Sequence, residues 1–107
     1  MIINSIHDLN LHDSELLRTV IEKTEITMFI DYIEDYEPLK SSRKKLVFRD
    51  CTSYVLTTHL GYDSPDSILG AEEINLAGAS RKFRITTNTT ATTIEIVANT
   101  IELIDDE

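Results

Sequence analysis

His7-Asp8 and His12-Asp13 place two His-Asp dipeptides near the start of this 107-residue chain. Two imidazoles and two carboxylates are the donor types of a divalent-metal site. Their spacing matches no established ligand pattern, and the third histidine, His59, lies far along the chain. The dipeptides therefore read as polar turns, and no metal ligand is assigned. Asp13 and Glu15 stand two apart and could share a face as a carboxylate pair. Acid–base work requires one such carboxyl to be buried with a raised pKa. Cys51 is the only cysteine. A nucleophilic thiol needs an oriented base beside it, and no motif supplies one, so the expectation is a small packed thiol in a strand. The three glycines are isolated, which leaves no phosphate-cradling loop. No catalytic residue and no cofactor are assigned.

The charge map points elsewhere. The chain carries 19 acids against 10 Lys and Arg, a net charge of −9. Residues 1–39 hold nine acids and two bases, whereas residues 40–49 hold five bases and no acid. An acidic body repels phosphate backbones at range, so nucleic acid is an unfavourable partner and a cationic protein a favourable one. The run Lys40, Arg43, Lys44, Lys45 has no aromatic interleaving, which makes it a poor nucleic-acid site. It reads as a solvated loop, a docking patch, or the positive partner of the chain's own acidic hairpin. No stretch approaches the roughly 18 apolar residues of a membrane-spanning helix. The N-terminus has no basic segment followed by an apolar run, so no signal peptide is expected. The single thiol fits a reducing, cytoplasmic setting.

The elements that must position these groups are strands. Ile, Val and Thr make up 31 residues and Ala only five, a balance that favours pleated surfaces over helices. The organising stretch is residues 11–33, a polar turn followed by two strands. His12, Asp13 and Ser14 form the turn, whose Asp and Ser side chains can bond nearby N–H groups. In Glu25–Ile33, Ile26, Met28, Ile30 and Tyr32 fall on one apolar face and Glu25, Thr27, Phe29, Asp31 and Ile33 on a mixed one, the period of a strand. Glu15–Glu22 reads as the other strand, with a helix as the alternative.

Glu34–Ser42 reads as a loop, because Pro38 excludes a central strand. Residues 46–49 and 54–60 read as strands separated by a bulge or tight turn near Asp50-Cys51. Residues 61–70 are the one helical candidate, with Asp63 or Ser64 as cap, Pro65 at the first position and Gly70 at the end. A short strand is expected over residues 71–77. Residues 81–87 form a strand with Phe83 and Ile85 inward, and residues 88–91 a hairpin loop. Apolar parity then flips between Ile96 and Ile101, which predicts an extra residue near Asn99.

Residues 11–16, Leu-His-Asp-Ser-Glu-Leu, followed by a period-two strand, resemble the opening of small bacterial all-β domains of unknown function. Leu46-Val47-Phe48 and Ser67-Ile68-Leu69 are similar to later stretches of those domains. Some members of such families look like immunity proteins that accompany toxins, so the resemblance implies an all-β fold and a binding role without catalytic residues.

The expected architecture is one all-β domain over residues 1–107. It would be an antiparallel barrel or two-sheet sandwich of about seven or eight strands, with one short helix near Pro65–Leu69. An α+β fold is the alternative. The expected function is non-enzymatic protein binding, immunity- or inhibitor-like, through an acidic face formed by Tyr32, Glu34, Asp35, Tyr36 and Glu37. The competing reading is a small-molecule-binding or catalytic barrel with Asp13 and Glu15 at its mouth.

Overall fold

Two-residue alternation runs through almost every ordered segment of the computed structural model, which describes residues 1–57, 66–87 and 92–106. Among these residues nine strands form: β1 (Ile2–Ile3), β2 (Glu15–Glu22), β3 (Glu25–Tyr36), β4 (Leu39–Arg49), β5 (Ser53–Thr57), β6 (Asp66–Asn75), β7 (Arg81–Thr87), β8 (Thr93–Ala98) and β9 (Thr100–Asp105). Among the described residues a single 3-10 turn, Ile6–Asp8, interrupts them. The strands make one open antiparallel sheet in the order β1-β9-β4-β3-β2-β6-β7-β8-β5. Among the described residues the fold is all-β, as composition implies, and it is one open sheet, neither a closed barrel nor two separate sheets. The terminal strands β1 and β5 are not neighbours in the ladder.

The sheet has two wings. β2 meets β6 only at Glu15↔Ser67 and Leu16↔Asp66, and the two strands diverge from there. A kinked ribbon links the other end. β4 pairs β9 as far as Arg49↔Thr100, and β5 pairs β8 from Ser53↔Val97. The kink lies at residues 50–52 on one side and at Asn99 on the other. Asp50 takes φ 56°, the Asn99 N–H donates to the Arg49 carbonyl (3.0 Å), and the Thr52 N–H donates to Val97 (2.9 Å). Both breaks in apolar parity are therefore one corner seen from two strands. Asn99 is the extra residue that lets Ile96, Ala98 and Ile101 all reach the interior.

One core fills the space between the wings. Leu16, Ile26, Met28, Ile30, Leu46 and Phe48 of the first wing meet Ile68, Phe83, Ile85, Ile94 and Ile96 of the second. Phe48 and Phe83 pack edge to face, with ring centroids 5.3 Å apart. Such pairs add about 0.5–1.5 kcal/mol beyond their area burial. The N-terminal segment is fastened by a polar staple. Glu73 accepts the Ile6 N–H (2.8 Å) and pairs with Arg81 (3.3 Å). Arg81 also donates to the carbonyls of Asn4 (2.6 Å) and Asn99 (3.1 Å). These two side chains are only 10% and 15% exposed.

Several expectations need correction. Glu15–Glu22 is a strand, which removes the α+β alternative; its pairing to β3 fixes it, with a bulge at Leu17 absorbing the irregular apolar pattern. The expected helix is absent where the structure describes it. Residues 66–70 open β6, Ile68 is buried and Leu69 exposed. Gly70 follows a register shift in the ladder to β7 rather than ending a helix. The proposed caps Asp63, Ser64 and Pro65 lie outside the described residues, as do His59 and the 88–91 loop. The 34–42 loop is instead the end of two long strands, since Pro38 sits in a tight turn between Tyr36 and Leu39. The Cys51 thiol lies in the corner rather than in a strand. It donates to the Phe48 carbonyl (3.3 Å), and burial pushes its pKa up.

Candidate functional site

β3 and β4 are the longest strands, and their far ends leave the sheet together. β2 stops pairing with β3 at Glu15↔Asp31, and β9 begins pairing with β4 at Lys44↔Asp105. Residues 32–43 are thus a two-stranded arm closed by Glu37 and Pro38. Every residue from 34 to 41 is exposed. A lone two-stranded ribbon is marginal in water, so its base must be held from outside.

The turn at residues 10–14 does this. Asp13 has φ 68°, and its N–H donates to the Ile68 carbonyl (2.9 Å). Ser14 is fully buried. Its Oγ accepts the Ile33 N–H (3.1 Å) and its carbonyl accepts the Ile68 N–H (2.8 Å). The His12 Nδ1 lies 2.7 Å from the Leu69 carbonyl, which assigns that nitrogen as the donor. The His12 carbonyl in turn accepts the Tyr36 hydroxyl (2.8 Å), and the Tyr32 hydroxyl accepts the Asn10 N–H (3.0 Å). Ser14, not Asp13, supplies the bonding side chain expected of the turn. Asp13 contributes its backbone conformation, and its carboxylate stands 3.6 Å from the His12 Nε2.

The arm collects Glu34, Asp35, Tyr36 and Glu37, while Tyr32 stays half-buried at its base. The charge there is not the bare acidic field that the charge map suggests. The Ser42 hydroxyl donates to Glu34, and Lys40 (3.4 Å) and Lys44 (3.7 Å) lie beside it. The Ser42 hydrogen bond, then the two ammonium groups, hold the Glu34 carboxyl below its ordinary value. Lys44 also binds Asp105, which raises the lysine's pKa and lowers that of the aspartate. Asp35 stands opposite Lys40 in register and accepts the Glu37 N–H (3.2 Å). The basic run therefore lies along the acidic strand and largely compensates it.

An exposed apolar pair on the arm was not visible in sequence. Tyr36 and Leu39 are cross-strand neighbours, 45% and 69% exposed. Tyr36 touches His12, and His12 touches Leu69, itself 47% exposed. Tyr36 and Leu39 thus form an exposed cross-strand pair, and the Tyr36 hydroxyl ties the arm to the His12 backbone, whose ring is tied to Leu69 of β6. The signal available in sequence was Tyr and Leu flanking Glu37-Pro38, but only the hairpin pairs them. At the arm's base, Tyr32 and Glu34 also line a groove of about 440 Å³ with Leu9, Lys44 and Leu103.

Chemistry finds no comparable focus. Among the described residues, no three His, Cys, Asp or Glu side chains converge to hold a metal. Ser5 caps the 3-10 turn, its hydroxyl accepting the His7 N–H (3.2 Å) and lying 3.3 Å from the His7 Nδ1. Asp13 is exposed in its turn, whereas Glu15 is half-buried in β2 opposite Asp31. No family model and no curated protein matches the chain. Fold and site together define an all-β domain with a projecting, side-anchored hairpin.

Proposed function

We propose that this chain is a non-enzymatic protein-binding domain, immunity- or inhibitor-like, that engages a cationic protein through the β3–β4 arm. The observation that carries the reading is the exposed Tyr36–Leu39 pair at the end of a ribbon whose base is hydrogen-bonded to residues 10–14. Those bonds run from Ile33 to Ser14, from Tyr36 to His12 and between Tyr32 and Asn10, and a Ser14–Asn10 contact supports them. Aromatic and aliphatic side chains ringed by polar groups are the usual anchors of an interface. Pre-fixing the ribbon lowers the ordering cost of binding. The net charge of −9 steers a cationic partner toward the surface and makes its on-rate salt-sensitive, while the compensated charges of the arm set orientation. The open sheet favours this reading over the barrel-mouth alternative, since among the described residues Asp13 is exposed in its turn and Glu15 pairs opposite Asp31.

The test is site-specific photo-crosslinking in the native cell. A crosslinker at Leu39 should capture one predominant protein, basic in character. The same group at Ile74, which is 54% exposed on the other wing, should not. Equal capture at both positions would contradict the assignment.

A further inference from the structure

We infer that the outer face of β2, β3 and β4, turned away from the core, is a second binding surface, separate from the Tyr36–Leu39 pair, and that it takes an acidic peptide segment in extended form. The observation behind it is where the unpaired cations gather. Lys40, Lys44, Arg49, Arg81, Lys82 and Arg84 each lie beside a carboxylate. Among the described residues, Arg18, Lys23, Arg43 and Lys45 have no carboxylate within ion-pair distance. The chain carries 19 acids, so this is not for want of partners.

Three of these four share one face. The strand register sets Arg18 and Lys45 on either side of Phe29. Both lie over its ring, 4.0 Å and 5.8 Å from the centre. Arg43 is two residues from Lys45 in an unbroken stretch of β4, so it points the same way. Val47 follows on that side and is buried, yet it lies outside the core cluster between the wings. With Thr27, Phe29 and Ile104 it lines a groove of about 290 Å³. The acids of this face leave the three cations free. Glu25 and Glu102 hold Arg49, beyond Val47. Asp31 stands opposite Arg43 in register but makes no ion pair with it.

The spacing selects the occupant. Arg43, Lys45 and Val47 recur at every second residue, roughly 6.8 Å apart at the rise of a strand. An extended peptide repeats its side chains at the same interval. Two carboxylates and an apolar side chain at alternate positions therefore meet the two cations and the groove together. Stacking on Phe29 holds the Arg18 head in place, which lowers the ordering cost of a further contact. A segment with few carboxylates is drawn in at short range. A long polyanion, such as a nucleic acid, is repelled by the net charge of −9 before it arrives.

The test is an NMR titration of the full chain at low ionic strength with the end-capped peptide Glu-Ser-Glu-Ser-Phe. Saturable amide shifts should cluster around Arg18, Phe29 and Lys45 and weaken as salt is added. The capped peptide Gln-Ser-Gln-Ser-Phe should bind roughly tenfold more weakly, a comparison that needs no variant of the chain. Arg43→Gln and Lys45→Gln should each weaken the glutamate peptide. Lys23→Gln, in the turn between β2 and β3, should not. Asp31→Asn removes the acid opposite Arg43 and should tighten binding. Oligothymidylate should bind no better than the glutamine peptide. The inference is overturned if the glutamate peptide gives no shifts or binds no better than its glutamine counterpart. Indifference to both Arg43→Gln and Lys45→Gln, or tighter binding of the oligonucleotide, would overturn it equally.

Discussion

The Glu73–Arg81 staple and the Glu34–Lys40–Lys44 cluster use the same residue types and do different work. In the staple, both side chains are largely withdrawn from water, and the bonds reach Asn4 and Ile6 of the N-terminal segment and Asn99 between β8 and β9. Arg81 also lies 5.2 Å from the Phe83 ring centre. In the arm the side chains are more open, from 19% exposed at Lys44 and 30% at Glu34 to 64% at Asp105 and 70% at Lys40, and among the described residues they meet neighbours on the same ribbon or on β9. Removing one member of a desolvated pair strands its partner, which is costly. Removing one exposed charge lets water take its place. Ion pairs here therefore mark fold stability in one region and surface adjustment in the other, and burial decides which.

The comparison can be broken most severely at the corner that the staple grips. Deleting Asn99 would turn Ile101, fully buried, toward solvent together with the rest of β9. The expected result is loss of cooperative thermal unfolding. Deleting Asp106 should leave a normal transition. Arg81→Ala should cost about 2–4 kcal/mol, since it leaves Glu73 and two carbonyls without their donor. Chemical denaturation would read this directly. Ser14→Ala should cost about 1–3 kcal/mol by orphaning the Ile33 N–H at the base of the arm.

Smaller effects come from backbone conformation. Lys23 (φ 56°) and Asp13 (φ 68°) occupy a region that side chains disfavour. Lys23→Gly should raise stability by about 0.4–1 kcal/mol. Asp13→Ala should cost stability while Asp13→Gly does not. The reverse order would show that the Asp13 carboxylate, not its φ, matters. Glu34→Gln should leave the melting temperature within error.

Acid titration sharpens the same contrast. Lys82 then Arg84 lower the pKa of Glu95, and Arg49 lowers that of Glu102, beside the lowered Glu34 and Asp105. A depressed folded pKa gives stability that is complete above the unfolded value and lost as pH falls through the folded one. Lys44 is raised above 10.5, so its contribution is present below that value and lost as pH rises past the folded one. Stability should be flat at neutral pH and decline below the ordinary carboxylate range. High salt should shrink the decline, because each of these carboxylates keeps part of its side chain, from 20% to 64%, in contact with solvent.

Period-two patterns made much of the fold legible. The parity flip at Asn99 and the break at Asp50 follow from side chains that must share one core, and Phe83 and Ile85 fall inward as their spacing requires. What stayed hidden was non-local or ambiguous. Pro38 reads equally as a loop residue or a hairpin turn until β3 and β4 pair. Gly70 suits a helix end or a strand bulge. The Glu73–Arg81 pair and the link from Leu69 through His12 to Tyr36 depend on which strands become neighbours, and local periodicity carries no such information. The acidic hairpin was visible as composition, but its compensation by Lys40 and Lys44 required the register.

The central claim is that the arm binds and the staple stabilises. Its most direct test is one double variant, Tyr36→Ala with Leu39→Ser, assayed for affinity toward the protein crosslinked at Leu39 and for thermal stability in the same preparation. The account predicts at least a tenfold loss of affinity, about 1.4 kcal/mol or more, with a melting temperature that shifts by only a few degrees. Unchanged affinity at full stability would contradict it.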